Sequence, residues 1–119
     1  MTGPGRFAGL FAAIDAADVD AFMGWLTQDC SFVYGSSEPV RGADAVRALV
    51  AGFLASFRRV THRVDSSWEA DDAGVTEGLV TYITADGREV TLPFCNVFHL
   101  AADGRIRDYR IYIDPTPLG

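Results

Sequence analysis

Apolar residues in the first half of the chain recur every three or four positions, as they do on one face of a helix. The recurrence covers residues 7–26 and is interrupted at Asp15-Ala-Ala-Asp18, which predicts two helices joined by a tight corner, with Asp18 capping the second. Another apolar stripe predicts a third helix, capped by Asp44 and continuing through Phe57. Short strands are predicted ahead of this helix, at residues 30–34 and 40–41.

After Arg58 the helical period gives way to alternation of apolar and polar residues, which is typical of strands. Two Asp-Gly pairs mark hairpin turns between the later strands. Helices followed by an antiparallel meander indicate an α+β fold, with helices covering one face of a curved antiparallel sheet. We expect a single domain over residues 1–119, with long strands at 60–68, 75–84, 89–100 and 105–113.

Two polar residues interrupt apolar strand faces and raise the question of function. Asn96 lies in the alternating apolar set that runs from Val90 to Leu100, and His62 lies between Val60 and Val64 on a face that alternation extends to Trp68. Each can be a structural residue that bonds to the backbone or to water. The alternatives are a hydrogen-bond donor to a ligand at Asn96 and an acid or base at His62, since imidazole titrates near neutrality.

Alternation does not decide which face of the strand at 75–84 is the inner one, because Leu79 and Ile83 compete with Val80 and Tyr82. If the odd-numbered residues face inward, Glu77 lies inside as well. The last strand is ambiguous in the same way. Its more apolar end assigns one set inward, Arg107, Tyr109, Ile111 and Ile113, and the other set outward, Ile106, Asp108, Arg110 and Tyr112. The outer face of the sheet is then unusually apolar for a solvated surface, which predicts a homodimer. Its contacts would include Val97, His99, Arg110 and Tyr112.

Composition narrows the classes of function. The chain has 16 acidic and 10 basic residues, a net charge of −6, which disfavours nucleic acids and anionic membranes as partners. All basic residues are Arg, so Schiff-base and P-loop lysine chemistry are excluded. Cys30 and Cys95 have no metal-ligand spacing, and we expect neither a metal nor a cofactor. No signal peptide or membrane span is predicted, so a cytoplasmic location is expected.

Three segments resemble the nuclear-transport-factor-2-like superfamily and its SnoaL-like branch. They are FAAIDAADVDAF at residues 11–22, LTQDCSF at 26–32 and VFHLAADGRIRDYRIYID at 97–114. The resemblance implies a cone-shaped fold in which a strongly bent antiparallel sheet wraps over three helices and encloses an apolar pocket. Such proteins usually form homodimers. Relatives include ketosteroid isomerase and limonene epoxide hydrolase.

The known catalytic residues of these relatives are mostly replaced here. The resemblance places Leu10, Tyr34 and Asn96 where the isomerase has its tyrosine, its carboxylate base and its protonated aspartate. Of the hydrolase set, Glu77, Leu79 and Ile111 stand in place of an arginine and two aspartates. Ile111 also stands at or close to the position of the polyketide cyclase aspartate. Those three reactions, by those mechanisms, are therefore disfavoured.

What remains is a pocket for a small, mostly apolar molecule with a carbonyl or hydroxyl group. We expect His62, Tyr34 and Asn96 to carry any catalysis, in a pocket lined by Phe11, Trp25, Phe32, Phe53, Trp68, Glu77, Phe94, Phe98 and Tyr109. One hypothesis is a cofactor-independent isomerase, cyclase or hydratase-like lyase; the other is a non-catalytic ligand-binding or dimerisation module. An open pocket with a polar end favours the first, and a closed pocket filled by Trp and Phe side chains favours the second.

Overall fold

The computed structural model describes all 119 residues and contains three α-helices and six strands. The helices are α1 (Ala8–Asp15), α2 (Val19–Met23) and α3 (Ala43–Ala55). The strands are β1 (Leu26–Tyr34), β2 (Val40–Arg41), β3 (Phe57–Glu69), β4 (Ala73–Thr84), β5 (Glu89–Leu100) and β6 (Ile106–Tyr112). Short 3₁₀ turns lie at Gly5–Phe7 and Thr116–Leu118. No helix is long and apolar enough to cross a membrane.

The strands form one sheet in the order β2-β1-β6-β5-β4-β3. The meander of β3, β4, β5 and β6 is antiparallel, as predicted, and the α+β class is confirmed. One pairing differs from the expected antiparallel sheet, because β1 lies parallel to β6. This strand also begins at Leu26, four residues before the predicted start at residue 30. β1 follows the first two helices and pairs with β6, the last strand of the chain. This pair is the only parallel one in the sheet.

Local sequence signals explain where two of the helices begin. Asp18 caps α2 as predicted, since its carboxylate accepts a hydrogen bond from the Ala21 N–H at 3.1 Å. The prediction that Asp44 caps α3 is wrong. The cap position is Gly42, at φ +90°. Asp44 lies in the first turn, where its negative charge interacts favourably with the positive end of the helix dipole.

The core lies between the helices and the inner face of the sheet. Phe7, Phe22, Phe98 and Tyr109 are all at most 1% exposed, and their rings contact one another in pairs 4.8–5.7 Å apart between centroids. The Phe7 ring occupies the space into which a β-carbon at Gly74 would project. A residue without a side chain at this position of β4 therefore allows the N-terminal segment to pack against the sheet.

A bulge in β3 overturns the prediction that Trp68 faces the interior. Val64 pairs with Gly78 and Ser66 with Glu77, so Asp65 is an extra residue in the ladder. The extra residue reverses the faces of all later side chains. Ser67 is consequently buried at 1% exposure, whereas Trp68 points outward and is 53% exposed.

The even-numbered residues of β4 face the interior, which overturns the expectation that Glu77 lines the pocket. Val80 and Tyr82 are buried at 1% and 3% exposure. Glu77 lies on the opposite face, paired in register with Cys95 of β5. Its carboxylate therefore contributes to the outer surface of the sheet.

Candidate functional site

A cavity of about 250 Å³ lies between the helices and the inner face of the sheet. Sixteen of its twenty lining residues are hydrophobic. Ser37, Glu38 and Leu49 also line it and are exposed, so the cavity reaches the protein surface beside the loop after β1. Its walls come mainly from α3 and from strands β1, β3, β4, β5 and β6. They include Phe32, Phe53, Val80, Phe94 and Ile111, and Phe22 of α2.

His62 of β3 lines this cavity and is held by Asp15, the last residue of α1. Nδ1 of His62 lies 2.7 Å from Oδ1 of Asp15. The same carboxylate accepts the backbone N–H of His62, at 3.0 and 3.2 Å from its two oxygens. The imidazole side chain is 12% exposed and packs against the rings of Phe11 and Phe94, 5.1 and 5.3 Å away between centroids. The ring orientation is thus fixed on several sides.

This arrangement determines which nitrogen of neutral His62 is basic. A carboxylate only accepts hydrogen bonds, so Nδ1 carries the proton that is donated to Asp15. The lone pair is then on Nε2, the nitrogen on the other side of a ring that lines the cavity. A histidine oriented by a carboxylate in this way is suited to general-base catalysis, since the carboxylate also stabilises the imidazolium that forms.

Two tyrosines form a hydrogen-bonded pair in the cavity wall. The hydroxyls of Tyr34 and Tyr82 are 3.0 Å apart. Burial raises the pKa of Tyr34, and the hydrogen bond with Tyr82 partly opposes this rise. Burial, together with the same hydrogen bond, raises the pKa of Tyr82. Both hydroxyls are therefore protonated near neutral pH, and Tyr34 can donate to a ligand while it accepts from Tyr82.

Asn96 and Tyr109 add polar groups elsewhere in the wall. Asn96 is 2% exposed, and its Oδ1 has no hydrogen-bond partner within the protein. Tyr109 is 1% exposed, and burial raises the pKa of its phenol. Along the inner face, Tyr82 pairs with Val60 and Asn96 with Thr76, so the two groups lie on either side of the row that contains His62. Tyr82 is one register row from His62, and Asn96 is two rows away on the other side.

The structure brings most of the predicted site residues to the cavity. Those that line it are His62, Tyr34, Asn96, Phe32, Phe53, Phe94 and Tyr109. Five predicted wall residues do not, and two of these, Trp68 and Glu77, face outward. Phe11 is buried beneath the wall against His62 and Phe94, and Phe98 packs against Phe7 and Tyr109 in the core. Trp25 lies beside Phe7 and Gly9, away from the cavity.

Asp15 and Tyr82 are the two site residues that the sequence reading did not assign. In the sequence, Asp15 is distinguished only by its place in the corner between two helices, and its contact with His62 joins residues 47 positions apart. Tyr82 belongs to one of the two sets of residues that could form the inner face of β4, and this set is the buried one. An aspartate ending an amphipathic helix is a weak signal, because acidic residues are common in such corners.

The site offers no obvious metal centre or thiol nucleophile. No three His, Cys, Asp or Glu side chains are grouped in a way that could hold a metal ion. Both cysteines are free, and burial raises the pKa of each thiol, with the charge of Glu77 adding to the rise at Cys95. The thiolate, which is the reactive form, is therefore disfavoured. The polar groups that remain are suited to acid–base and hydrogen-bond chemistry.

An α+β fold with helices over one sheet face and an apolar cavity containing a few polar groups defines a class of small pocket proteins. The chain belongs to the SnoaL-like domain family, whose pattern matches residues 7–109. This places it in the nuclear-transport-factor-2-like superfamily that the sequence resembles. No curated protein matches the sequence significantly.

Solved structures share the fold at low sequence identity. An NTF2-like protein of unknown function from Exiguobacterium sp. 255-15 is 23% identical, with a TM-score of 0.77, over 88% of this chain and 94% of that one. A protein from Jannaschia sp. CCS1, provisionally named a SnoaL-like polyketide cyclase, is 22% identical, with a TM-score of 0.80, over 92% of this chain and 83% of that one. SalBIII, an epoxide hydrolase/cyclase-like enzyme with a role in pyran ring formation in salinomycin, is 17% identical, with a TM-score of 0.81, over 92% and 88%.

Proposed function

We propose that this protein is a cofactor-independent enzyme that removes a proton next to the carbonyl group of a small, mostly apolar compound. The Asp15–His62 pair at the cavity wall carries the proposal, because it supplies an oriented base in a largely apolar site. The names of SalBIII, an epoxide hydrolase/cyclase-like enzyme, and of the provisionally named polyketide cyclase of Jannaschia ascribe cyclase-type activity to proteins of this fold.

The proposed step moves one proton. Nε2 of His62 accepts a proton from the carbon next to the carbonyl, and the electron pair of the broken C–H bond moves onto the carbonyl oxygen. Hydrogen bonds from Tyr34 or Asn96 stabilise the negative charge on that oxygen. Where a C=C bond adjoins the deprotonated carbon, return of the proton from His62 to the far end of that bond gives an isomer in which the double bond has moved into conjugation with the carbonyl. Loss of a hydroxyl group from the neighbouring carbon, with that proton, gives water and an unsaturated product.

The shape of the cavity supports this proposal over the non-catalytic module. The cavity reaches the surface at exposed Ser37 and Leu49, and polar groups lie in its wall. Neither tryptophan fills it, since Trp25 and Trp68 lie elsewhere. An accessible cavity of about 250 Å³ is sufficient for a molecule of one or two rings.

Exchange of hydrogen for deuterium in D₂O tests the proton-transfer step without knowledge of the natural substrate. Cyclohexanone and α-tetralone are incubated with the protein, and loss of the signals of the protons next to the carbonyl is followed by NMR. We expect catalysed exchange that falls by about 10²-fold or more in His62→Gln. His99→Gln is the matched control, because His99 is the only other histidine and is exposed on the outer face. Ketone binding without histidine-dependent exchange would support a binding module instead.

We also propose that the outer face of the sheet forms a homodimer. Val33, Val97 and Val75 lie in one row across this face, with Arg110 between the first two. The three valines are only partly buried, and Tyr112 is 55% exposed. An apolar row of this kind is typical of the core of an interface between subunits.

A further inference from the structure

Three polar side chains lie side by side across the inner face of the sheet. Ser67 of β3 pairs in register with Thr76 of β4, and Thr76 pairs with Asn96 of β5. The three residues are only 1%, 0% and 2% exposed. Asn96 lines the cavity, so this polar row, defined as Ser67, Thr76 and Asn96, extends from the cavity wall into the interior.

Each member of the polar row has a buried oxygen without a hydrogen-bond partner in the protein. The oxygens are Oγ of Ser67, Oγ1 of Thr76 and Oδ1 of Asn96, and they are the only such side-chain atoms in the chain. Buried polar groups are normally hydrogen-bonded, because leaving them unpaired is costly. Three unpaired groups in adjacent register positions therefore indicate a common partner from outside the protein.

Neighbouring side chains on the inner face do not supply that partner. Phe94 and Phe98 flank Asn96 along β5, and Ile111 lies opposite it on β6. Gly74 and Gly78 flank Thr76 along β4. None of these residues has a polar side-chain atom.

The spacing across a sheet suits water. Directly opposite residues of an antiparallel pair have β-carbons about 4.5–5.5 Å apart. Two hydrogen bonds of about 2.8 Å that meet at one water span about 4.5 Å, so one water can bond to the oxygens of two neighbours. Buried waters typically bond to otherwise unsatisfied polar groups of this kind.

We propose that the polar row is a buried water-binding site, and that the water between Thr76 and Asn96 fixes the orientation of the Asn96 amide. Oδ1 of Asn96 accepts a hydrogen bond from this water, and Nδ2 is directed toward the cavity. At the other end, the N-terminal segment covers Ser67, whose N–H donates to the Met1 carbonyl at 2.9 Å. The water site is thereby closed to solvent on that side.

The orientation of Asn96 limits the chemistry of the ligand. With Oδ1 held by water, Asn96 presents only N–H donors to the cavity. The ligand should then place an acceptor oxygen there, as a carbonyl group does. This inference about the ligand rests on the proposed function, whereas the water site does not.

Crystallography tests the water and the amide orientation directly. At a resolution of about 1.2 Å or better, where hydrogens begin to be visible, we expect an ordered water within hydrogen-bond distance of Oγ1 of Thr76 and Oδ1 of Asn96. A direct hydrogen bond between these two side chains, or Nδ2 of Asn96 directed toward Thr76, would overturn the proposal. His62→Gln should leave the water in place, so failure of the proposed function and failure of the water site are separable.

The composition of the chain makes an independent NMR test simple. Asn96 is the only asparagine and Gln28 the only glutamine, so the side-chain amide region contains two pairs of signals. Gln28 is exposed and serves as the internal reference. Thr76→Val should shift the Asn96 pair and lower Tm by several degrees, whereas Thr76→Ser, which keeps the hydroxyl, should restore both. Thr61→Val, at an exposed position of β3, is the control for the substitution.

Two probes of similar shape test whether Asn96 donates a hydrogen bond to an oxygen of the ligand. α-Tetralone has a carbonyl oxygen and tetralin has none. We expect α-tetralone to shift the Asn96 amide pair and tetralin, at matched occupancy, to leave it near its free position. Equal shifts with both probes would overturn the donor role of Asn96. An unchanged Asn96 pair in Thr76→Val would overturn the water bridge, and if that variant does not fold, the crystal structure of the unchanged protein decides.

Discussion

Asp15 holds the backbone and the ring of His62 with the same carboxylate, whose Oδ1 is 2.7 Å from Nδ1. Its oxygens are also 3.0 and 3.2 Å from the backbone nitrogen. The contact ties the end of α1 to β3 and fixes the tautomer of a histidine in the cavity wall. Folding and the candidate chemistry therefore depend on one side chain, and suitable substitutions can separate the two effects.

Asp15→Asn should impair proton transfer more than it impairs folding. The amide nitrogen can donate to His62, which favours the tautomer with the proton on Nε2 and removes the base from the cavity. We expect the deuterium exchange rate to fall by about 10²–10⁴-fold. The free energy of unfolding, measured in urea, should fall by about 1–3 kcal/mol.

Asp18→Asn is the control for this substitution, because asparagine caps a helix about as well as aspartate does. It should change neither exchange nor stability by a comparable amount. Equal exchange rates in Asp15→Asn and the unchanged protein would show that the Asp15–His62 contact has no part in proton transfer.

The buried tyrosines predict that stability decreases at alkaline pH. Burial raises the pKa of Tyr34, Tyr82 and Tyr109 in the folded protein. Above about pH 10 the unfolded chain loses phenolic protons that the folded chain keeps. The unfolded state then binds fewer protons, so the free energy of unfolding falls as pH rises, by at most about 1.4 kcal/mol per pH unit for each tyrosine.

Urea unfolding between pH 8 and about pH 11.5 measures this slope. Tyr82→Phe should make the decrease less steep, because it removes one of the groups responsible. Stability that is constant or rises over this range would contradict the buried, protonated state of these side chains.

The sequence predicted the inner face of β5 because its alternation is regular and its inner residues are large. In β6 the prediction holds for Tyr109 but is wrong at the start of the strand, where a register shift against β5 buries Ile106 and leaves Arg107 exposed. The same reasoning failed for β3 after Asp65, where one extra residue reverses the faces and alternation alone does not reveal it. It also failed to decide β4, whose inner residues Gly74, Thr76 and Gly78 are small or polar. The outer residues of that strand, such as Val75 and Leu79, are the more apolar set.

The candidate site was only partly predictable for a related reason. His62 and Asn96 stand out because each is a polar residue in an apolar set. Asp15 does not, because its role depends on a contact with a residue 47 positions away. The polar row is likewise a product of register, since Ser67, Thr76 and Asn96 come from three strands.

Substitution of alanine for glycine should change the stability of the protein in opposite directions at two positions, Gly74 and Gly52. A β-carbon at Gly74 meets the ring of Phe7, which is fully buried and cannot move away easily. Gly74→Ala should therefore destabilise the protein by about 1–3 kcal/mol. Gly52 lies in α3 with nothing within 4 Å of its β-carbon position, so Gly52→Ala should stabilise it by about 0.5–1 kcal/mol. Thermal unfolding should show a lower Tm for Gly74→Ala and a higher Tm for Gly52→Ala. A Gly74→Ala variant as stable as the parent would contradict the packing of Phe7 against β4.

The outer face of β4 and β5 carries the apolar part of the proposed homodimer interface. Val75 and Val97 lie side by side on this face, where a solvated sheet would carry polar residues. The face also carries Glu77 and Arg110, opposite charges that a two-fold axis can pair between subunits.

Val97→Glu places a carboxylate in the middle of this apolar row and should separate the subunits, because a buried charge without a partner is costly. In sedimentation experiments at micromolar concentration, the unchanged protein should have twice the mass of the 12.9 kDa chain, and Val97→Glu should have the mass of one chain. Ala102→Glu adds the same charge at an exposed turn and should remain dimeric. An unchanged protein that sediments as a single chain would contradict the dimer and leave the apolar outer face of β4 without a partner.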